Sequence, residues 1–146
     1  MATVSATVEL AGKGGARILK FEGFDCKTAG ETTEVIDAGG FDYAIIYAVD
    51  NTKAAGTGTG RIDIRASLPD GSAVAAFRVG NEDESATEDG QTDDFELAAM
   101  KTLNAGLLGS RVSRLPNQFT LVHNGGNSGS TTFTIDLYVE LHRRGS

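Results

Sequence analysis

The stretch from Thr132 to Arg143 constrains the fold more than any other part of the chain. Phe133, Ile135, Leu137, Val139 and Leu141 fall on every second residue, and Thr134, Asp136, Tyr138, Glu140 and His142 fill the places between. Successive side chains of a strand point to opposite faces, so this period gathers the large aliphatic groups on one face. A helix would spread the same residues around its circumference. The stretch predicts an amphipathic strand, one face against a core and the other toward water or a partner.

Other segments repeat the pattern less cleanly. Thr3 to Leu10 alternates, with Val4, Ala6, Val8 and Leu10 on one side, and ends at Gly12-Lys13-Gly14-Gly15. Arg17 to Glu22 is a less regular strand carrying Ile18, Leu19 and Phe21, and Glu31 to Asp37 is a β-branched one. Asp42 to Asp50 differs: Tyr43, Ile45, Tyr47 and Val49 make one apolar face, and Ala44, Ile46 and Ala48 make the other. A strand apolar on both faces sits centrally, covered on both sides. One cover is the core, and a neighbouring subunit is expected as the other.

Arg61–Leu68 and Ala73–Val79 flank Pro69-Asp70-Gly71-Ser72, in which proline presets φ and glycine accepts a positive one, so residues 61–79 read as a hairpin. Phe95, Ala99, Leu103 and Leu107 recur every four residues and predict one short helix, capped by Asp93 or Asp94 and ended by Gly106 and Gly109. Arg111–Arg114 is indefinite, Gln118–His123 is a strand, and Asn124 to Ser130 is a polar hairpin tip. About eight strands and one short helix predict an all-β fold: a single-domain antiparallel β-sandwich or jelly roll over residues 1–146. Nineteen glycines against two prolines suit its many tight turns.

The net charge of −7 is local in origin. Eight acids and no base lie between Asn81 and Glu96 (Glu82, Asp83, Glu84, Glu88, Asp89, Asp93, Asp94 and Glu96), and the rest of the chain is close to neutral. From Leu97 onward five Lys/Arg face two Asp/Glu. No basic stripe suited to nucleic acid is present, so none is expected as a partner. No apolar run reaches the length of a bilayer span, and the first residues show no basic region followed by an apolar one, so neither a membrane partner nor a signal peptide is expected. The lone Cys26 can form no internal disulfide and reads as a small hydrophobe.

Chemistry has little to draw on. Residues 85–96 overlay part of an EF-hand loop, which makes Asp89, Asp93 and Glu96 the calcium candidates. The first and third places of that overlay are Ser85 and Thr87, however, and no helical pattern precedes them. The acidic loop at 81–94 is therefore expected to be a solvated one without metal. The two histidines, His123 and His142, read as surface or edge residues, and no nucleophile elbow accompanies them. Gly56-Thr57-Gly58-Thr59-Gly60 precedes a strand and lacks the Gly-Lys-Ser/Thr of a phosphate loop. One cysteine and two distant histidines make no zinc site. The expectation is a non-enzymatic protein without cofactor. Its interface candidates are Tyr43, Ile46, Tyr47 and Tyr138 on strands, and Asp83, Glu84 and Asp89 in the acidic loop.

Two stretches carry a resemblance. Val35-Ile36-Asp37-Ala38-Gly39-Gly40-Phe41-Asp42-Tyr43-Ala44-Ile45-Ile46-Tyr47 resembles a segment of small β-sandwich virion proteins of tailed bacteriophages. Arg114 to Asn124, with the polar tip and long strand beyond it, is similar too. The resemblance covers about a third of the chain and transfers no site residue. It implies a capsid decoration (cement) protein that binds and bridges major capsid protein subunits, or else a minor head or tail component. A homo-oligomer made in the host cytoplasm and carried on the virion surface is expected with it. The alternative is a carbohydrate- or receptor-binding β-sandwich module of a phage tail, with a cluster of aromatic or Asn/Asp side chains at one end of the sandwich.

Overall fold

The computed structural model describes residues 3–6, 8–11, 15–25, 31–50, 61–79, 81–85, 107–113, 115–124 and 134–144. Their strands are β1 (Thr3–Val4), β2 (Val8–Ala11), β3 (Arg17–Asp25), β4 (Thr32–Thr33), β5 (Ile36–Asp37) and β6 (Tyr43–Asp50). They continue as β7 (Arg61–Ser67), β8 (Ala73–Arg78), β9 (Asn81–Ser85), β10 (Leu107–Val112), β11 (Gln118–Asn124) and β12 (Thr134–His142). Seven strands form one sheet in the order β1-β4-β11-β7-β8-β9, with β5 also paired to β11. Five form the other in the order β10-β6-β12-β3-β2. Apart from the short parallel pair β1–β4, every pairing is antiparallel. The fold is an all-β sandwich.

The alternation in the last strand places the core. β12 runs between β3 and β6, and its Ile135, Leu137, Val139 and Leu141 are fully buried. They share one cluster with Phe21, Ile46 and Ala48 of their own sheet and with Ile62, Ile64, Phe119 and Leu121 of the facing one. Removing each such side chain from water stabilises the fold by roughly 1.5–3 kcal/mol.

A bulge resets the phase of β3. Ile135 pairs with Phe24 but Leu137 pairs with Phe21, so Glu22 and Gly23 together face Asp136. Gly23 takes φ 71°, and its N–H donates to Asp136 Oδ1 over 3.1 Å. Two residues against one, with glycine in the left-handed region, is the usual form of such a bulge. Its effect is that Phe21 and Phe24, three positions apart, both reach the core.

The segments read as single strands at 3–10 and 31–37 are each divided. β1 belongs to the seven-stranded sheet and β2 to the five-stranded one, so the chain crosses between layers after β1. Glu34 holds the start of this crossing: its N–H donates to Val4 O, and its Oε1 accepts from Ala6 N–H over 3.0 Å. Between β4 and β5 the backbone leaves β11, and the Thr33 hydroxyl accepts the buried Leu121 N–H over 3.0 Å in place of a carbonyl. An unsatisfied buried N–H would cost about 1–3 kcal/mol, which explains a threonine there.

The hairpin at 61–79 forms as expected, with Ser67 paired to Ala73 and Gly71 at φ 88° in the turn. Both the N–H and the hydroxyl of Ser72 bond Asp70 Oδ1, holding that carboxyl below its usual range. Three expectations need correction. Residues 107–112, read as helix end and indefinite segment, form β10 against β6. The acidic segment does not begin as a loop: Asn81–Ser85 is β9 on β8. His123 is buried, because β11 continues the phase of Phe119 and Leu121 inward. The rest of the expected helix, 95–106, lies outside the described residues, as does Cys26, and no α-helix occurs among those described.

Two substitutions separate packing from backbone strain. Leu137→Ala is expected to lower unfolding free energy by about 2–5 kcal/mol through a core cavity. Gly23→Ala, where an added Cβ meets nothing within 4 Å, is expected to cost about 1–2 kcal/mol through φ alone. Urea unfolding of both variants checks the order.

Candidate interaction face

Because Ala44, Ile46 and Ala48 point into the core, the alternate residues of β6 (Tyr43, Ile45, Tyr47 and Val49) lie half-buried on the outer face of the five-stranded sheet. β12 adds Asp136, Tyr138, Glu140 and His142 to the same face. Pairing sets them in rows across the sheet. Gly109, Tyr47, Tyr138 and Lys20 form one row, and Arg111, Ile45, Glu140 and Ile18 form the next. Tyr43 is opposite His142 at the end of the face.

The rings are fixed by cross-strand neighbours, which are the unit of sheet stabilisation. A Cβ on Gly109 would sit 3.0 Å from Tyr47 Cδ1, so the glycine leaves room for the tyrosine ring to lie over its backbone. Tyr43 stacks on His142 with centroids 5.0 Å apart and planes 10° from parallel. From the strand on its other side, the Arg111 guanidinium carbon lies 4.1 Å from the Tyr43 ring centre. A cation held over a ring face is worth about 0.5–1 kcal/mol at an exposed site. His142 Nε2 lies 3.2 Å from Glu140 Oε1.

Lys20 borders the central row. Its Nζ is 2.9 Å from Glu22 Oε1 and 5.4 Å from the Tyr138 ring centre. Hydrogen bonds to Glu22 first and to Tyr138 second raise its pKa from 10.5 to about 12. The face thus gathers aromatic and aliphatic groups together with Lys20, Asp136, Glu140 and Arg111.

Of the residues singled out in the sequence, Tyr43, Tyr47 and Tyr138 come together on this face. Ile46 does not: it is fully buried in the core and is no contact residue. Asp83 and Glu84 lie on β9, in the other sheet. Asp89, Asp93 and Glu96 fall outside the described residues. Among the described residues no three of His, Cys, Asp and Glu gather as metal ligands. His142 sits on the polar side of its strand as expected. Ile18, Lys20 and Arg111 were missed. The first two alternate with Leu19 and Phe21 and were legible, whereas Arg111 lies in a segment with no visible period.

The raised Lys20 pKa gives a pH dependence with a definite sign. The folded value exceeds the unfolded one, so the stabilisation is complete below pH 10.5 and is lost as pH rises through about 12. Glu22→Gln is expected to bring the Lys20 pKa back toward 10.5, read from the side-chain carbon shift by NMR, and to remove that alkaline loss.

The chain matches no protein-family model and no curated protein sequence. Among solved structures it is similar to the K1 cleaved adhesin domain of Lys-gingipain (Kgp) from Porphyromonas gingivalis W83. The two share 15% identity at a TM-score of 0.40, over 97% of this chain and 82% of that one. A likeness at that level carries no inference about what this chain does.

Proposed function

We propose that the chain is a non-enzymatic interaction protein that docks on a protein neighbour through the outer face of its five-stranded sheet. The observation that carries this reading is the convergence of Tyr43, Tyr47 and Tyr138, with Ile18 and Ile45, on one face of the sheet, with Lys20 and Arg111 at the ends of its rows. Interface hot spots favour large aromatic groups and arginine, surrounded by contacts that exclude water.

In its concrete form the proposal is a capsid decoration protein of a tailed bacteriophage, bridging major capsid protein subunits on the virion surface as a symmetric oligomer. Its support is the sequence resemblance, together with the fact that the two resembling stretches are neighbours. Gln118 pairs with Asp37, and Ala38 N–H donates to Asn117 O over 2.7 Å. Contacts to several subunits at once would multiply modest patches into avidity.

Co-sedimentation with expanded, undecorated heads from the same source, with light scattering of the free chain, tests it. The wild-type chain is expected to pellet with heads. Tyr47→Asp and Tyr138→Asp each weaken this by about tenfold or more while leaving the fold intact, since a central aromatic contact is worth about 2 kcal/mol. A monomer that stays in the supernatant, or binding indifferent to both substitutions, overturns the proposal.

A further inference from the structure

Where β5 and β7 stop and β11 starts, three strand ends leave an open groove of about 750 Å³. It is lined by strand ends of the seven-stranded sheet and by Gly39 and Gly40 of the connection from β5 to β6. Its walls are fixed by backbone pairing. Phe119 pairs with both Ile36 and Ala66, Gln118 pairs with Asp37, and Leu68 N–H donates to Ser72 O over 2.8 Å.

Two kinds of group line it. Leu68, Pro69, Pro116 and Ala66 supply apolar patches, and Leu68 is 40% exposed. The Ser67 hydroxyl, the Asn117 and Gln118 amides and the Asp37 carboxylate supply hydrogen-bonding groups. Among the described residues no protein group bonds the side chains of Ser67, Asn117 or Gln118, and Asp37 engages only Oδ1, which accepts Gly39 N–H over 3.0 Å. Gly39 and Gly40 border the groove and let a ligand approach the backbone closely.

We propose that this groove binds a saccharide. A sugar presents C–H patches on its ring faces and hydroxyls around its edge, which matches prolines and leucine set among amides, a hydroxyl and one carboxylate. The volume falls within the roughly 300–1,000 Å³ of small-ligand sites. An anionic ligand would meet the Asp37 carboxylate, and the neighbouring Arg17 and Arg143 guanidiniums are engaged by Asp37 O and Gly15 O. A metal ion would find a single carboxylate where several oxygens are needed. An extended peptide adds to a free strand edge, whereas the strand ends here are paired to one another.

The test is an amide NMR titration of the labelled chain with maltotriose, cellotriose, mannotriose and triacetylchitotriose, and with an unrelated extended peptide as control. At least one sugar is expected to shift the amides of Gly39, Gly40, Ser67 and Gln118, with a midpoint on the order of millimolar, as for a shallow site without deep burial. The double variant Asn117→Ala/Gln118→Ala is expected to weaken this about tenfold, the worth of one to two hydrogen bonds. Gln118→Glu, which keeps the shape and removes the amide donor, is expected to weaken it in the same direction. Tyr47→Asp leaves the sugar shifts unchanged, so failure here is distinguishable from failure of the docking face. No groove shift with any of the four sugars, shifts indifferent to the Asn117 and Gln118 variants, or groove shifts from the peptide instead would each overturn the proposal.

Discussion

The packing of β12 between β3 and β6 is the contact on which the five-stranded sheet depends. Four aliphatic side chains of β12 enter the core, and its backbone bonds both neighbours along most of its length. A one-residue slip of this strand would carry all four to the outside and bring Asp136, Tyr138, Glu140 and His142 into the core. Burying those polar groups unpaired would cost several kcal/mol each. Register is therefore held by solvation as firmly as by packing. The bulge at Gly23 and the bond to Asp136 fit this requirement, since they let β3 stay aligned with a partner that cannot shift.

The same phase dictates the outer face of that sheet. Tyr43, Tyr47 and Tyr138 are outside because their neighbours in sequence are inside. Alanines at 44 and 48 keep the buried side of β6 thin, leaving volume in the shared cluster for Phe21, Phe24 and Phe119. The bulk of β6 is thus displaced outward, where rings lie flat against glycine, histidine and arginine. The outer face therefore sets rings and aliphatic groups beside Asp136, Glu140 and His142.

How much of this could be read from residues alone depended on whether a single period governed the segment. β12 has one unbroken period and forms as the sequence indicates; the hairpin at 61–79 forms because of its turn residues, despite a bulge between Ile64 and Arg65. β3 hides its bulge, because glycine at 23 is consistent with either a turn or a phase change. The division of β1 from β2 leaves no trace in a run whose alternation is perfect from 3 to 10. Only the crossing between sheets separates them, and that is a tertiary event. In β10 the recurrence of Leu103 and Leu107 favoured a helix that pairing with β6 overrides at the residues described. His123 was legible, since it continues Phe119 and Leu121, but its polarity argued for the surface. Ile46 was misplaced for the opposite reason: with both faces of β6 apolar, either could have been the inner one. The groove between β5, β7 and β11 depends on residues distant in sequence and has no local signature.

The position of β12 in the order of strands also bears on how the chain acquires its shape. The strand at the middle of its sheet comes after the sheet's other strands β2, β3, β6 and β10 in the sequence. Leu137 must find Phe21 across most of the chain's length. Native pairings of such wide sequence separation impose a large loop-closure entropy and make assembly slow. During synthesis β3 and β6 emerge early and wait, each with an open hydrogen-bonding edge, until residues 134–142 leave the ribosome. Charged side chains on β3, such as Lys20 and Glu22, make an open edge less favourable for pairing with other chains.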